Sequence, residues 1–273
     1  MWRSTAPGLV PFVSSIGYGE SDFAHGRELS LPSGMMNLYI NLDRDEIRVY
    51  PVDGGPPEVR SGIAVRGPNS RPVFIDPADQ RRIMWVSFRA AGASPFVPAD
   101  AADLRDRIVD LADLWGRDGE LLRERLLAAS SVERRIDELA AALLAHARRP
   151  PTRDDAVVAA AAALHRGASV GDAADRLGWT ARRLGRAFTA HIGLAPKRFA
   201  RVRRFQRLVR AASSDPAPDW ARLAAETGYH DQAHLIHDFR DLSGLTPGAY
   251  RPRSPGEHNH VPVSTIAPPA PPG

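Results

Sequence analysis

Two arginines and a glycine at helical spacing are the first residues in this chain with recognisable chemistry. Arg182, Gly185 and Arg186 lie three and four positions apart, so they share one face of a helix predicted from Ala181 to about His191. An arginine can donate two parallel hydrogen bonds to the N7 and O6 atoms of guanine, and a glycine lets the backbone approach a base closely. We expect these positions to contact DNA bases. The alternative is that the arginines contact only phosphate groups.

A second group of such residues begins a helix predicted from Gln232 to Leu242, with Asp231 as its cap. Glutamine can pair with adenine through two hydrogen bonds, and an alanine methyl can contact the methyl group of thymine. The base-contacting residues predicted here are Gln232, Ala233, His234 and His237. A metal site formed by His230, His234 and His237 is the alternative, but a fourth ligand is missing nearby. We expect neither a metal nor a cofactor.

A motif that occurs twice must position these two groups. Each copy has an aromatic residue, a glycine five positions later, a proline three after that and another aromatic three further on. The copies are Phe188, Gly193, Pro196, Phe199 and, 51 residues later, Phe239, Gly244, Pro247, Tyr250. A repeat is a structural unit used twice, and each unit here predicts a helix, a turn and a second helix.

A basic helix predicted from Lys197 to Arg210 joins the two units. It buries an apolar stripe that includes Phe199 and Phe205, and it is expected to act as a stiff strut between the units. Arginine and lysine side chains around the units are expected to contact phosphate, which would orient the protein on DNA without reading its sequence. These residues are Arg183, Lys197, Arg198, Arg201, Arg240 and Arg251.

Charge and composition narrow the function classes. Residues 1–151 hold 19 Lys/Arg and 21 Asp/Glu, whereas residues 152–252 hold 16 and 10, so the second segment carries a net charge of +6 and attracts phosphate. The chain has no cysteine, which excludes disulfides and thiolate catalysis. We expect a cytoplasmic protein, because its longest apolar run, residues 156–164, is too short to span a bilayer and its first 19 residues do not resemble a signal peptide.

The first half of the chain predicts strands followed by helices. Residues 36–42 alternate apolar and polar side chains like a half-buried strand, and residues 47–50 are the expected hairpin partner. Further strands at residues 63–65, 73–75 and 83–88 predict an antiparallel sandwich or barrel. Helices are predicted over residues 101–114, 121–129 and 132–147. The last two would form either a dimer interface or a solvated linker.

Four apolar side chains of the β-rich region would either line a ligand pocket or belong to the core. They are Met36, Tyr39, Trp85 and Phe88. His25 is the one histidine in this region, so a metal-dependent enzyme, which needs several histidines and a carboxylate, is not expected.

The sequence divides into three parts, which together predict an α+β fold. Residues 1–150 form a β-rich domain with trailing helices, and residues 151–252 form an all-α domain that starts after the prolines at 150 and 151. Residues 253–273 are rich in proline and are expected to be disordered.

Residues 156–251 resemble the DNA-binding domain of the AraC-type (AraC/XylS) bacterial transcription regulators. The resemblance is carried by the repeated motif and by residues 228–240 and 244–251, which are similar to that family's signature. It implies seven helices, two helix-turn-helix units and control of transcription at promoters, with RNA polymerase as a partner. The implied base contacts are Arg182, Gly185 and Arg186 in the first unit and Gln232, Ala233, His234, Ile236 and His237 in the second.

Residues 89–96 and residues 111–116 carry a second resemblance. On these two stretches, residues 10–148 resemble, less specifically, the β-rich sensor half of some members of this family, in an uncharacterised subgroup. That resemblance implies a small cupin-like barrel, a small-molecule effector and helices that pair subunits into a homodimer. The favoured hypothesis is therefore a sequence-specific regulator that binds promoter DNA and catalyses nothing. Two alternatives are a metal-dependent cupin-like enzyme fused to a DNA-binding module and a nonspecific nucleic-acid packaging protein.

Overall fold

The structure is a computed structural model that describes residues 2–4, 7–20, 26–147 and 153–265. Its fold class is α+β, as the sequence predicts. The strands are β1 (Trp2–Ser4), β2 (Val13–Glu20), β3 (Glu28–Ser30), β4 (Asn37–Asn41), β5 (Glu46–Val49), β6 (Glu58–Ser61), β7 (Ile63–Arg66), β8 (Val73–Ile75), β9 (Arg82–Phe88), β10 (Ile108–Asp110) and β11 (His260–Pro262).

Helices dominate the rest of the described chain. They are α1 (Leu111–Trp115), α2 (Arg117–Ala128), α3 (Val132–His146), α4 (Asp155–His165), α5 (Val170–Asp175), α6 (Ala181–Ile192), α7 (Pro196–Ala212), α8 (Trp220–Thr227) and α9 (Gln232–Ser243). Across the described ranges, none of these helices combines the length and the apolar character that crossing a bilayer requires.

The β-rich half is built on a six-stranded antiparallel sheet with the order β1-β2-β9-β4-β7-β10. Side chains alternate between the two faces of a strand. One face of the sheet, which includes Leu38, Val65 and Val86, packs with Leu122 of α2 and Leu139 of α3 in one apolar core. Because α2 and α3 bury these side chains against the sheet, they are integral to the domain. Their role as a dimer interface stays a prediction.

The predicted hairpin between residues 36–42 and 47–50 is wrong. Strand β5 pairs with β6, whereas β4 lies between β7 and β9. The side chain of Asn41 explains the change of direction, because its amide nitrogen donates to the carbonyls of Glu46 and Asp79 while its oxygen accepts from the next turn. The chain therefore leaves the sheet after β4 instead of folding straight back onto it.

The helix predicted over residues 101–114 is also wrong. Turns occupy most of its first half, followed by β10 and the five-residue helix α1. Asp106 has a positive φ of 56°, which interrupts any helix, and its carboxylate accepts hydrogen bonds from the backbone and hydroxyl of Ser70. Ile108 then pairs across from Arg66 at the edge of the sheet. Sheet pairing outweighs the helical spacing of the apolar residues.

The all-α half follows the sequence closely. Side chains of Ser169, Thr180, Asp219 and Asp231 cap the four helices of the two repeated units. Gly193 and Gly244 end the second helix of each unit in the left-handed conformation that glycine adopts without strain. Within residues 153–252 the described chain has six α-helices and a short 3-10 helix (Pro247–Ala249), where the resemblance implies seven helices. The predicted boundary at residues 150–151 lies outside the described residues.

Residues 253–265 do not form the disordered tail that their proline content predicts. Strand β11 pairs with β3, and Val261 is fully buried in the core of the second unit. Arg253 forms an ion pair of 2.9 Å with Glu28, whose carboxylate is 0% exposed and also lies 3.1 Å from His260. A buried carboxylate needs such partners, so this segment is tied to the β-rich half. Residues 266–273 of the predicted tail lie outside the described residues.

Replacing Arg253 with alanine is expected to loosen this segment. The change takes a charged hydrogen-bond partner from a buried carboxylate, which costs about 1.5–3 kcal/mol. Hydrogen exchange should therefore accelerate at the amides of Leu31 and Val263, which bond to Asn259 and Arg27 across the junction. Arg251→Ala is the control, because Arg251 is exposed and donates only to nearby carbonyls. Equal exchange in both variants would contradict the assignment.

Candidate nucleic-acid interface

The second helix of the first unit, α6, presents two unpaired arginines. Its Leu184, Phe188 and Ile192 are buried, which fixes the opposite face toward solvent. Arg182 and Arg186 are exposed on that face, and neither forms a hydrogen bond or an ion pair with any residue of the described ranges. A side chain added at Gly185 would meet no atom within 4 Å, so this stretch of the helix is open to an approaching partner.

Arg183, predicted to contact phosphate, is exposed beside this face. Its guanidinium lies 4.3 Å from the ring centroid of Trp179, in the turn of the unit. Such stacking holds the cationic group in place without neutralising it. Arg183 therefore retains its charge next to the two unpaired arginines.

The second unit presents a mixed surface on α9. Gln232, Ala233 and His237 are exposed, as a base-contacting role requires. His234 is half-buried, with its Nε2 atom 3.1 Å from Arg204, and Ile236 packs against the core of the unit. These two residues are engaged within the protein. The base-contacting role of all five residues stays a prediction.

Many arginines of the strut α7 form ion pairs or hydrogen bonds within the protein. Arg201 and Arg204 each donate to Asp238 of α9 at 2.7 Å, and Asp238 is only 2% exposed. Arg207 donates to the carbonyls of His165 and Thr227. The basic surface that the sequence predicts along this helix is therefore partly an internal network that joins α7 to α4, α8 and α9.

The predicted phosphate contacts fall into two groups. Lys197 and Arg240 are exposed and have no partner in the described part of the chain. Arg198 donates to Asp241 and to the carbonyl of Ser70, Arg201 pairs with Asp238 and Asp241, and Arg251 donates to backbone carbonyls. Sequence reasoning missed the ion pairs of Arg198 and Arg201 because their acidic partners lie about 40 residues away in the chain.

The β-rich half contacts the end of α6. The amide of Ala101 donates to the carbonyl of Ala190, and Gly193 packs so closely against Ala101 and Pro68 that a side chain there would clash. The hydrogen bond from Arg198 to Ser70 lies in the same region. The β-rich half therefore contacts the helix that carries Arg182 and Arg186 directly.

A cavity of about 820 Å³ lies between the two halves. One wall is the sheet face opposite the apolar core, and the other includes α4, α7 and the segment around His258. Of the four side chains predicted to line a pocket, Tyr39 and Trp85 line this cavity, while Phe88 borders it from the apolar core, in which it is 2% exposed. Met36 does not line the cavity: it belongs to the apolar core and borders only a void of about 20 Å³.

Basic groups that sequence reasoning missed line the same cavity. Burial lowers the pKa of Arg203 to about 10, and burial together with the neighbouring Arg203 lowers the pKa of His165 to about 4. Burial and the nearby Arg210 lower the pKa of His258 to about 4 as well. The histidines are thus neutral at pH 7, while the arginines keep their charge. Arg66 lines the cavity as well. Ile63 and Val65 of β7 face the apolar core, so the alternation of side chains along the strand places Arg66 on the opposite face of the sheet.

Each half of the chain matches a known family of protein domains. Residues 173–253 match the family described as a helix-turn-helix domain. Together with the repeated motif and the two capped helix pairs, this match decides the type of the all-α half. The C-terminal part of the chain is an AraC-type helix-turn-helix domain. Residues 4–110 match a domain of unknown function (DUF6597), and no curated protein matches the chain.

Solved structures similar to this chain include several of ToxT from Vibrio cholerae. One, at 1.65 Å resolution, is 10% identical with a TM-score of 0.46, and the match covers 86% of this chain and 96% of ToxT. A second, bound to (E)-4-(8-methylnaphthalen-1-yl)but-3-enoic acid, is 12% identical with a TM-score of 0.47 and coverages of 87% and 98%. A third, bound to an unsaturated fatty acid, is 9% identical with a TM-score of 0.45 and coverages of 87% and 95%.

The described part of this chain, AraC-type domain included, contains no group of three or more histidine, aspartate or glutamate side chains placed to hold a metal ion. In the histidine trio of the sequence, His234 faces Arg204 and Tyr229, whereas His237 is exposed.

Proposed function

We propose that the protein is a sequence-specific DNA-binding transcription regulator whose β-rich half responds to a small-molecule effector. The observation that carries the proposal is the pair of exposed, unpaired arginines on α6 of an AraC-type domain. In a helix-turn-helix unit the second helix enters the major groove, where arginine reads guanine.

The strut has a length suited to two adjacent grooves. Its 17 residues span about 26 Å at 1.5 Å per residue. Successive major-groove faces on one side of DNA are about 34 Å apart, and the widths of α6 and α9 supply the difference. The network of Arg201, Arg204 and Asp238 fixes α9 on the strut, so the spacing of the two units is set before DNA is bound.

The effector part of the proposal rests on the position of the cavity. It is bounded by both halves, so a ligand there contacts the sheet and α7 at once. Occupancy that favours one arrangement of the halves would change DNA affinity by the difference in ligand affinity between the two arrangements. RNA polymerase and a second copy of the chain are the macromolecular partners of this proposal, which assigns no catalytic activity and a cytoplasmic location.

Footprinting on the DNA upstream of the protein's own gene tests the proposal. A regulator protects a site of about two adjacent major grooves, whereas a nonspecific packaging protein protects DNA uniformly. Metal analysis of purified protein tests the enzyme alternative, because stoichiometric iron or zinc would indicate a metal-dependent cupin-like enzyme.

Replacing Arg186 with alanine is expected to weaken binding to the cognate site by about 1–3 kcal/mol and to relax base preference at one position. Binding to random DNA should change much less. The matched comparison is Lys197→Ala, which should weaken binding to all sequences alike and lower the salt dependence by about one unit. Quantitative binding at several salt concentrations measures both. An equal loss on random DNA for the two variants would show that Arg186 does not read a base.

A further inference from the structure

The sheet face that lines the cavity places an unpaired guanidinium beside two aromatic side chains. Tyr39 of β4 lies directly opposite Trp85 of the neighbouring strand β9. Arg66 of β7 lies opposite Asn37 of β4, which is two residues before Tyr39 and therefore on the same face. On one face, opposed side chains are about 5 Å apart and diagonal ones about 7 Å. One small molecule can therefore contact all three side chains.

Arg66 is a half-buried cation with no carboxylate partner among the residues that the structure describes. Its Nη1 atom donates to the hydroxyl of Ser30 at 3.3 Å, and its Nη2 atom is buried without a hydrogen-bond partner. Tyr39 and the carboxylate of Asp106 act on it electrostatically, and the two oxygens of Asp106 already accept hydrogen bonds from Ser70. A buried guanidinium normally pairs with an anion, because leaving its donors unsatisfied is costly.

Basic residues that line the cavity outnumber acidic ones, which favours an anionic ligand. Among the described residues that line it, seven are arginines and one, Glu257, is acidic, and three of the arginines, Arg81, Arg153 and Arg253, form ion pairs with carboxylates. Glu257 is paired with Arg253 at 2.5 Å, so it is not available to Arg66. Arg203, on the opposite wall, donates to the carbonyl of Ser33 and has no carboxylate partner within the described chain.

Trp85 supplies a flat apolar platform in the same wall. Its indole ring occupies the space above Gly17, the residue opposed to it on β2, where any side chain would clash with the ring. The ring also contacts the position above Gly19. Two glycines thus let the indole lie against the sheet, and its other face is turned to the cavity that Trp85 lines. Such a face suits a planar ring, which stacks on it in an offset arrangement.

We propose that this cavity binds an aromatic oxyanion, in which a carboxylate or phosphate group pairs with Arg66 and a planar ring packs against Trp85 and Tyr39. This inference deepens the effector part of the proposed function by naming the ligand class. A volume of about 820 Å³ accommodates one such molecule with room for ordered water. Arg203 reaches the same space from α7, so the bound anion contacts both halves of the protein.

Calorimetric titration of the full chain without DNA tests the site. The probes are indole-3-carboxylate for the carboxylate source, phenyl phosphate for the phosphate source, and indole as the ring without the anion. At least one anion is expected to bind at one site per chain, and indole is expected to bind at least tenfold more weakly. Binding of neither anion, or equal binding of indole, would overturn the proposal.

Two variants separate a binding role from a structural one. Arg66→Met should weaken the anion that binds at least tenfold and should raise the melting temperature of the unliganded protein, because it removes an unpaired buried charge. Trp85→Leu should weaken the aromatic anion at least fivefold while leaving the affinity for acetate unchanged. Arg48→Met, a replacement of a partly exposed arginine paired with Glu46 outside the cavity, should leave probe affinity unchanged.

An Arg66→Met protein that binds the anion as tightly as the unmodified chain would overturn the proposal. So would one that is less stable without ligand, because Arg66 would then be a structural residue. The titrations contain no DNA, so failure of the probes to bind leaves the DNA-binding proposal standing. Conversely, absence of a footprint would leave the ligand class intact.

Discussion

Replacing Asp238 with alanine is expected to destabilise the second helix-turn-helix unit by about 3–5 kcal/mol, the range for breaking a buried ion pair from one side. Asp238 is 2% exposed and accepts from Arg201 and Arg204 at 2.7 Å each. Without its carboxylate, Arg201 and Arg204 both lose a charged acceptor. The Nη2 atom of Arg204 keeps only the neutral contact with His234 and its guanidinium the stacking on Tyr229, while its Nε atom already lacks a hydrogen-bond partner. Urea unfolding followed by circular dichroism measures the loss.

Asp241, one turn further along the same helix, is the matched control. It also pairs with Arg201, at 2.6 Å, and with Arg198 at 3.2 Å, but its side chain is 45% exposed. Exposed pairs of this kind contribute about 0–1 kcal/mol, so Asp241→Ala should change stability little. Similar losses of unfolding free energy in the two variants would show that burial of Asp238 does not increase the contribution of its ion pairs to stability.

Phe239→Ala is expected to cost about 3–5 kcal/mol, because a fully buried phenylalanine is replaced by a cavity. Its ring centroid lies 5.2 Å from Phe205, 5.8 Å from Trp220 and 5.7 Å from Tyr250, each in an edge-to-face arrangement. It thus holds α7, α8 and the end of the repeat together. Near-ultraviolet circular dichroism and thermal unfolding report the loss of this packing.

The control for Phe239 is Ile236→Ala on the same helix, since Ile236 is only half-buried against the same core. Its truncation should cost clearly less than that of Phe239. The counterpart in the first unit is Phe188→Ala, with a ring centroid 5.2 Å from Phe199. Comparable losses at Phe188 and Phe239 are expected from the repeat, and a loss at Phe239 no larger than at Ile236 would contradict the packing argument.

The helical half could be predicted from the sequence almost residue by residue. Thr180 and Asp231 cap helices, Gly193 and Gly244 end them, and the buried positions recur every three or four residues. All of these signals act within about a dozen residues of chain. Exposure of Arg182 and Arg186 follows from them, because burial of Leu184 and Phe188 leaves the other face of α6 to solvent.

The β-rich half was predicted less well, because strand pairing depends on contacts between distant residues. The alternation in residues 36–42 located β4, but it did not show that β4 would pair with β7 and β9 rather than with β5. The helical spacing in residues 101–114 was real, yet the positive φ of Asp106 and the pairing of β10 with β7 redirect the chain. The pattern of apolar residues within one segment contains no information about the distant strands with which that segment can pair.

The sequence by itself therefore determined the repeat, the helix boundaries of the AraC-type domain and the exposed arginines of α6, because caps, glycines and apolar spacing are local properties. Only the tertiary structure decided how each remaining basic residue is used. It pairs Arg201 and Arg204 with Asp238, ties Arg253 to Glu28 and leaves Arg66 unpaired in a cavity. The physical reason is that a charge is neutralised or left alone by groups far away in the chain, and the fold alone brings those groups within reach.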